Sequence, residues 1–400
     1  MKINSDRLWN NLMQMAVLGD TGDGGCNRQA LTDLDMRGRA LFTDWCKSQG
    51  LSLSYDAIGN MFARLEGANP DLPPLVIGSH LDTQPTGGKF DGVLGVLAGL
   101  EVVTRLREHD IVPARSIEVA CWTNEEGARF APAMTGSGVW AGALDLAVIR
   151  AACDPNGITL ATELDRHGYS DLSVPSDKPI HAYLELHIEQ GPVLEAHETE
   201  IGVVTGAQGI RWFDLKILGD ETHAGPTPMT MRRDPVWKLA DVLKELQKIG
   251  TRDPQARATV GQIKTAPFSR NVVPGLIQIS VDLRHPEERV LTEMCEDLSA
   301  VVTNDPDYTL TQIWHSPVVE FDAALVTAVR EGAEEFGYSH EDVISGAGHD
   351  ALMIARKAPA AMIFVPCRGG ISHNPAERID AHQAEAGANV LLSAVMKYLL

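Results

Sequence analysis

The sequence predicts an α/β protein whose larger domain is built on a mostly parallel sheet and carries an inserted, smaller α+β domain. Residues 75–78 and 117–121 are short apolar runs typical of buried strands, and residues 92–108 between them place apolar side chains at helical spacing. The order strand, helix, strand favours a parallel sheet with helices on both faces and ligands beyond the carboxyl ends of its strands. A length of 400 residues exceeds what one ordinary domain needs, which predicts two domains.

The other elements of the predicted larger domain lie on both sides of this unit. Residues 29–48 have helical periodicity, and residues 51–55 and 61–66 have the pattern of strands. Towards the other end of the chain, residues 360–365 form an apolar strand and a closing helix begins at residue 381. These later elements resemble the first part of the chain, so we expect both parts to belong to one domain.

Between these parts, the pattern changes after about residue 209 to that of a compact α+β unit. The expected elements of this unit are strands at 212–218, 258–263 and 277–284 and helices at 235–249 and 287–302. Because this unit interrupts the α/β pattern, the sequence predicts a discontinuous catalytic domain of residues 1–208 and 322–400 around an inserted domain of residues 209–321.

The composition excludes several classes of protein. Hydrophobic residues make up 44% and charged residues 22%, which is ordinary for a soluble globular protein. Lys and Arg number 34 against 54 Asp and Glu, and the resulting net charge of −20 would repel nucleic acid. No apolar run approaches the ~18 residues of a membrane span, and the first residues lack the pattern of a signal peptide. Six scattered cysteines without a CxxC pair indicate thiols in a reducing compartment, so we expect a cytoplasmic protein.

The first candidate functional residues are His80 and Asp82, at the carboxyl end of the predicted strand 75–78. Residues two apart in extended chain point the same way, so the pair suits a metal-binding imidazole and the carboxylate that orients it. A cap with an internally bonded histidine explains this pair equally well.

Three further carboxylates lie at comparable places. Asp91 lies in a glycine-bracketed turn before the long helix, where taken alone it is best explained as an N-cap. Glu125 and Glu126 follow the strand 117–121, and adjacent residues of an extended chain face opposite ways. This pair therefore suits one metal ligand and one free base, although a solvated acidic turn has the same pattern.

Two more histidines complete the pattern. His187 ends an apolar strand, and His373 follows the strand 360–365 in a glycine-containing loop. Singly, each is more often a core or loop residue than a ligand. Together with His80 and the carboxylates, they fall at strand ends that one crevice would collect, and three imidazoles and two carboxylates suit one or two divalent cations, zinc foremost, with cobalt, manganese or nickel as alternatives.

Several motifs make the chain resemble the M20-type di-metal amidohydrolases over nearly its whole length. These are Gly-Ser-His-Leu-Asp-Thr at 78–83, Gly-Lys-Phe-Asp-Gly at 88–92, Thr-Asn-Glu-Glu-Gly at 123–127, Leu-His-Ile-Glu-Gln-Gly-Pro at 186–192, His-Ala-Gly-Pro-Thr-Pro-Met at 223–229 and Gly-Ala-Gly-His-Asp-Ala at 346–351. Within that superfamily the sequence is most similar to the branch of N-carbamoyl-L-amino acid hydrolases, β-ureidopropionases and allantoate amidohydrolases. Related peptidases and deacylases usually have a carboxylate where this chain has His187.

The resemblance implies two metal ions and a role for each of the residues named above. One ion would be held by His80, Asp91 and His187, and the other by Asp91, Glu126 and His373, so that Asp91 is the bridge. Glu125 would be the general base and Asp82 would support His80. The resemblance also implies a cis peptide bond between Asp91 and Gly92.

The same resemblance implies a second set of residues that contact the substrate. His223 would donate to the oxyanion from the smaller domain of a partner subunit, so residues 209–321 would serve as lid and dimerisation domain of a homodimer. The implied substrate contacts are Gln190, Asn271, Arg284 and the backbone of Gly346, Ala347 and Gly348. Without the family, Arg284 is better explained by an ion pair with Asp282 or Glu287. Arg211, Arg232 and Arg233 receive no role.

Hydrolysis of the ureido C–N bond of an N-carbamoyl-L-amino acid, giving the amino acid, ammonia and carbon dioxide, fits these features best. Allantoate or N-carbamoyl-β-alanine would use the same apparatus, and the sequence separates these substrates poorly. A catalytically silent paralogue that binds a ureido or amino-acid ligand is disfavoured by the full set of metal-binding residues and by Glu125. An M20 peptidase or deacetylase is disfavoured by His187.

Overall fold

The computed structural model describes residues 1–173, 179–303 and 305–399 and divides the chain into two compact units. The larger unit comprises Met1–Thr205 and Glu320–Leu400, and the smaller comprises Gly206–Val319. The larger unit is therefore discontinuous in sequence, with its boundaries a few residues from those expected at 208/209 and 321/322. Among the described residues, every helix is too short or too polar to span a bilayer.

The secondary structure alternates through most of the chain. The helices are α1 (Ser5–Val17), α2 (Asp33–Ser48), α3 (Val93–Glu108), α4 (Thr135–Trp140), α5 (Leu146–Arg150), α6 (Leu160–Arg166), α7 (Val193–Ala196), α8 (Pro235–Gly250), α9 (Glu288–Val302), α10 (Ala323–Phe336), α11 (Asp350–Ile354) and α12 (Ala381–Leu399). The strands are β1 (Ser52–Tyr55), β2 (Met61–Leu65), β3 (Leu75–His80), β4 (Ile117–Trp122), β5 (Ala182–Ile188), β6 (Ile201–Ala207), β7 (Gly209–Leu218), β8 (Thr222–His223), β9 (Arg257–Ala266), β10 (Val272–Val273), β11 (Leu276–His285), β12 (Tyr308–Ser316), β13 (Val319–Glu320), β14 (His340–Ser345) and β15 (Ala360–Val365).

The larger unit is organised around four parallel strands in the middle of its main sheet. Within the described residues this sheet has nine strands in the order β1-β2-β4-β3-β5-β15-β6-β13, with β14 paired to β6. The pairs β4–β3, β3–β5 and β5–β15 are parallel, whereas the flanking pairs β1–β2, β2–β4 and β15–β6 are antiparallel. Nearly every residue of the four central strands is buried, as expected for a parallel sheet covered on both faces.

Helix α3 packs on the strands that lead to the candidate site. Most of its residues are buried, including the small residues Gly95 and Gly99, so the helix is apolar almost all round. Gly95 allows the closest approach: a Cβ atom there would lie 2.4 Å from the carbonyl oxygen of Leu186 and 2.8 Å from the Cβ of Ser79. The backbone of α3 therefore lies directly against β3 and β5, immediately before His80 and His187.

The smaller unit is an α+β layer, as the sequence predicts. Its four-stranded antiparallel sheet has the order β12-β7-β11-β9, and β8 pairs separately with β10. Alternate residues of β11 are buried, and the apolar faces of α8 and α9 join them in one core. Each predicted strand and helix of this unit is present, with ends that differ by a few residues.

The sequence patterns missed β6, β12 and β14. Strand β12 is an edge strand, and many of its residues are exposed, so it lacks the apolar run that marks a buried strand. Strand β14 likewise pairs only with β6 and is mostly accessible to solvent. Hydrogen bonding to a neighbouring strand, rather than a local apolar pattern, defines β12 and β14, whereas β6 is mostly buried.

The close approach at Gly95 predicts a large cost for an added methyl group. Gly95→Ala should lower the free energy of unfolding by about 1–3 kcal/mol, because the contact at 2.4 Å is with backbone that cannot move aside. Gly332→Ala in α10 is the matched control, since its Cβ would meet nothing closer than 3.2 Å. Its effect should stay within about 1 kcal/mol in either direction. Urea unfolding of both variants measures the difference, and equal stabilities would contradict the predicted contact.

Candidate metal centre

The side chains predicted to bind metal come together at the carboxyl edge of the four parallel strands. His80 is the last residue of β3, and His187 is the penultimate residue of β5. Glu125 and Glu126 follow β4, and His373 lies in the loop after β15. Since parallel strands end at the same edge of a sheet, residues far apart in sequence meet there.

Asp91 lies between two groups of side chains and directs a different oxygen towards each. Its Oδ1 is 3.7 Å from Nε2 of His80 and 3.0 Å from Nε2 of His187. Its Oδ2 is 3.4 Å from Nε2 of His373, which is itself 3.2 Å from Oε2 of Glu126. Both groups are close enough for their atoms to bind a metal ion, and they share Asp91.

The hydrogen bonds made by Nδ1 of His80 and His187 leave Nε2 of each ring as an acceptor. Nδ1 of His80 donates to the carbonyl oxygen of Asp82 at 2.9 Å, and Nδ1 of His187 donates to that of Ile188 at 2.9 Å. In the neutral ring, Nε2 then has no proton, yet in both residues it faces the Asp91 carboxylate. Acceptors facing a carboxylate in a buried site repel one another unless a proton or a metal ion lies between them, so the donor set fits a metal ion.

The pKa values of two histidines show how strongly this site attracts positive charge. Burial lowers the pKa of His187, but the hydrogen bond to Asp91 and the charges of Asp91 and Glu185 outweigh burial and raise it to about 9. Hydrogen bonds to Asp91 and Glu126 raise the pKa of His373 to about 10. A divalent cation bound to these nitrogens would take the place of the protons. Mixed imidazole and carboxylate ligands suit zinc and the neighbouring transition metals.

Glu125 lies at the same site but is not a member of either group. Its side chain is buried, and its Oε2 is 3.5 Å from Nε2 of His80. Burial raises its pKa well above the ordinary range, and the negative charges of Asp350 and Glu126 raise it further. A buried carboxylate with a high proton affinity beside the metal-binding atoms is suited to accept a proton.

Asp82 supports the site in a different way from the one its spacing suggests. The carbonyl oxygen of Asp82, rather than its carboxylate, accepts the hydrogen bond from His80, and the nearest carboxylate oxygen is 4.0 Å from Nδ1. The Asp82 carboxylate instead accepts the backbone N–H groups of Glu125 and Glu126, each at 3.3 Å. Asp82 thus joins the loop after β3 to the loop after β4.

The expectation of a cis peptide bond between Asp91 and Gly92 is wrong in this structure. The cis bonds of the described chain precede Pro132 and Pro267. The turn is made instead by Gly92, whose φ of 68° is in the left-handed region. In this conformation the Gly92 N–H donates to Nε2 of His187 at 3.1 Å, and a Cβ atom at Gly92 would lie 2.3 Å from the His80 ring.

Gln190, expected to contact substrate, lies against the shared carboxylate. Its Nε2 donates to Oδ2 of Asp91 at 2.8 Å and lies 3.0 Å from the hydroxyl of Ser372. That hydroxyl is 2.9 Å from the same Asp91 oxygen and 3.3 Å from Oε2 of Glu377. Within the described part of the chain, the buried Oε1 of Gln190 has no hydrogen-bond partner.

Glu377 is a site residue that the sequence patterns did not identify. Its Oε1 accepts the backbone N–H groups of Phe90 at 2.9 Å and Asp91 at 3.1 Å. Burial and the charge of Asp91 raise its pKa to about 8. Glu377 therefore holds the loop that carries Asp91, and its only local signal is its position four residues after His373.

Glu185 and His349 also lie close to His187. The His349 ring lies 4.6 Å from the His187 ring, and its buried Nε2 has no partner in the described structure. Glu185 accepts from the hydroxyl of Ser79 at 2.6 Å and from the N–H of Ala351 at 2.9 Å. Gly346, Ala347 and Gly348 form the loop between β14 and His349.

The smaller unit contains the other three residues expected to contact substrate. His223 pairs with Val272 across β8 and β10, and the carbonyl oxygen of Asn271 accepts the N–H of Ala224 at 2.9 Å. His223 and Asn271 are both exposed and lie near each other. Arg284 lies on β11 and forms an ion pair with Asp282 at 2.7 Å, as the sequence alone suggested.

Replacing Glu377 by glutamine should weaken metal binding. Glu377→Gln retains the shape of the side chain but replaces one acceptor oxygen by a donor, so it cannot accept from both the loop amides and Ser372. We expect metal affinity to fall ~10–100-fold. Glu189→Gln is the control, because Glu189 also accepts two backbone N–H groups, those of Val193 and Leu194. Zinc titration of both metal-free variants is the measurement, and equal affinities would contradict the role of Glu377.

Comparison with known proteins places this fold and site in one family. Residues 76–397 match the model of peptidase family M20/M25/M40. The chain is 46% identical to an N-carbamoyl-L-amino-acid amidohydrolase of Rhizobium meliloti, over 99% of this chain and 97% of the relative. It is 35% identical to an allantoate amidohydrolase of Bacillus subtilis, over 96% of this chain and 95% of the relative.

Solved structures agree with these relatives. A hydantoinase/carbamoylase family amidase from Burkholderia multivorans superposes with a TM-score of 0.94 at 48% identity, covering 100% of this chain and 98% of that one. The chain therefore belongs to peptidase family M20/M25/M40, in the group that contains the N-carbamoyl-L-amino-acid and allantoate amidohydrolases.

Proposed function

We propose that this protein is a metal-dependent amidohydrolase that cleaves the ureido C–N bond of N-carbamoyl-L-amino acids, giving the amino acid, ammonia and carbon dioxide. The observation that carries the proposal is the pair of ligand groups sharing Asp91, with the buried Glu125 beside them. Several full-length relatives are named N-carbamoyl-L-amino-acid amidohydrolases, which favours this substrate class.

Two divalent cations are the proposed cofactors, with zinc foremost and manganese, cobalt or nickel as alternatives. His80, Asp91 and His187 would hold one ion, and Asp91, Glu126 and His373 the other. When bound, such ions supply Lewis-acid polarisation and lower the pKa of a nearby water towards ~7.

Glu125 is the proposed general base. Its carboxylate would accept the proton of the attacking water as the water oxygen bonds to the ureido carbon. The same carboxyl group would then give that proton to the leaving nitrogen as the C–N bond breaks. Asp82 positions Glu125 through the backbone N–H of that residue, so that the base stays in place while the proton moves.

The smaller unit has two proposed functions, as a lid and as the dimerisation domain of a homodimer. His223 would donate to the developing oxyanion from the partner subunit. Arg284 and Asn271 would bind the substrate carboxylate, since a guanidinium matches a carboxylate in bidentate geometry. Gln190 and the loop of Gly346, Ala347 and Gly348 would complete the contacts from the larger unit.

The cysteine side chains indicate the cellular compartment in which the protein acts. All six cysteines are free, and all but Cys153 are buried. Unpaired thiols in a protein of this size are typical of a reducing compartment, so we propose that the enzyme acts in the cytoplasm.

Allantoate is a second candidate substrate, because relatives at 35% and 32% identity are named allantoate amidohydrolases. Allantoate also has a ureido group and a carboxylate. A panel of N-carbamoyl-L-amino acids, N-carbamoyl-β-alanine, allantoate and an N-acetyl amino acid, assayed for release of ammonia or amine, separates these activities. Turnover of the N-acetyl amino acid alone would contradict a ureido substrate.

The proposed cofactors predict that chelation abolishes activity and that added Zn²⁺, Mn²⁺ or Co²⁺ restores it. Metal analysis of the reloaded protein should find two ions per chain, because the two ligand groups are both complete. Turnover by protein shown to be free of metal would contradict the proposal.

The proposed base predicts separate effects on metal binding and turnover. Glu125→Gln should retain both ions while kcat falls by about 10²–10⁴-fold, because the amide cannot accept the proton. Glu118→Gln is the control, since that side chain lies in β4 and pairs with Arg64. It should leave kcat unchanged. Near-normal turnover by Glu125→Gln would place the base elsewhere.

The proposed lid residues should differ in their kinetic effects. Arg284→Ala should mainly raise KM for carboxylate substrates, whereas His223→Ala should mainly lower kcat, because only His223 meets charge that develops in the transition state. Co-expressing Glu125→Gln and His223→Ala chains tests the action of His223 across subunits. Mixed dimers would contain one intact site and regain partial activity. Verified heterodimers without activity would place His223 in the site of its own subunit.

A further inference from the structure

A fully buried arginine, Arg28, lies behind the loop that follows β3. Its side chain is 0% exposed, and among the described residues no carboxylate forms an ion pair with it. Arg39 is buried to a similar extent, but its guanidinium forms an ion pair with the Asp35 carboxylate at 2.8 Å. A buried guanidinium without an acidic partner is costly unless other dipoles compensate its charge.

The end of a helix compensates part of the charge of Arg28, whose Nη2 has no hydrogen-bond partner among the described residues. Its Nη1 donates to the carbonyl oxygens of Leu18 at 2.6 Å and Met15 at 3.2 Å, at the C-terminus of α1. The last carbonyl groups of a helix lack partners within the helix and carry partial negative charge, so a cation is favoured there. The last turn of α1 has no basic residue of its own.

The same guanidinium holds the loop that carries the metal-binding histidine. Its Nε donates to the carbonyl oxygen of Leu81 at 2.8 Å, between His80 and Asp82. The backbone of Arg28 also pairs with Thr83: its N–H donates to the Thr83 hydroxyl at 2.8 Å, and its carbonyl oxygen accepts the Thr83 N–H at 3.0 Å. One hydrogen bond of the Arg28 side chain and two of its backbone thus fix the segment from Leu81 to Thr83.

This segment controls three side chains of the site. The carbonyl oxygen of Asp82 sets the tautomer of His80, and the Asp82 carboxylate holds the backbone of Glu125 and Glu126. A small shift of this segment would therefore move one ligand of each proposed ion and the proposed base together. We propose that Arg28 is a positioning residue for the metal centre, which anchors the loop of His80 and Asp82 to the end of α1.

The test uses the full-length, metal-free protein and measures zinc affinity, the visible spectrum of the Co²⁺ form, the melting temperature and kinetic constants. Arg28→Met should weaken zinc binding ~10–100-fold and alter the Co²⁺ spectrum, as loss of a group that orients a ligand does. Its kcat should fall more than its KM rises. Arg28→Lys should show the same loss of zinc affinity, because one ammonium cannot reproduce the planar fork.

Arg115→Met is the matched control. Arg115 donates to the carbonyl oxygen of Pro73 at 2.8 Å, beside the opposite end of β3. This variant should lower the melting temperature without changing zinc affinity or the Co²⁺ spectrum. Thr83→Val removes the hydroxyl that accepts from the backbone N–H of Arg28 and should weaken zinc binding by a smaller factor, because the guanidinium contacts remain. If Arg28→Met fails to fold, Arg28→Lys decides the question.

Normal zinc affinity and an unchanged Co²⁺ spectrum in folded Arg28→Met, or in Arg28→Lys where the former does not fold, would overturn the assignment and leave Arg28 a purely structural residue. The inference rests on the proposed function only in taking the metal centre as the reaction site. Zinc affinity and the Co²⁺ spectrum need no substrate. A wild-type protein that binds metal but hydrolyses no ureido compound would therefore contradict the proposed function while leaving this assignment to be judged on metal binding.

Discussion

The shared carboxylate of Asp91 is the interaction on which the site depends, because it presents one oxygen to each of two groups of acceptor atoms. Without positive charge between them, these acceptors repel one another in a buried environment. Gln190 donates a hydrogen bond to the Asp91 carboxylate, and the backbone N–H of Asp91 donates to Glu377. These two bonds hold the carboxylate in place. The structure is thus arranged to attract cations rather than to neutralise its own carboxylates.

The parallel sheet makes this arrangement possible, because it brings chain segments hundreds of residues apart to one edge. Each of the four central strands is buried on both faces and cannot shift its register without exposing apolar side chains. The loops beyond the strands are then fixed by hydrogen bonds between loops. Asp82 joins the loop after β3 to the loop after β4, Glu377 joins the loop after β15 to the same loop after β3, and Arg28 connects that loop to α1.

The two units contain different kinds of candidate site residue, which agrees with the separate roles that we propose for them. The larger unit contains every residue of the two ligand groups together with Glu125. In the smaller unit, Arg284 lies on the face of β11 opposite to the helices, His223 lies in β8, and Asn271 directly precedes β10. Such groups suit recognition of an anion and of developing negative charge.

The sequence by itself determined the α/β class, the inserted unit and the residue types at the strand ends. It could do so because apolar runs and helical spacing are local patterns, and because the quoted motifs lie at those ends. Tertiary structure alone decided which oxygen of Asp91 faces which histidine, that the carbonyl of Asp82 bonds to His80, and that the Asp91–Gly92 turn uses a positive φ. The roles of Glu377 and Arg28 could not be identified from the sequence, because their hydrogen bonds join segments far apart in the chain and follow no periodic pattern.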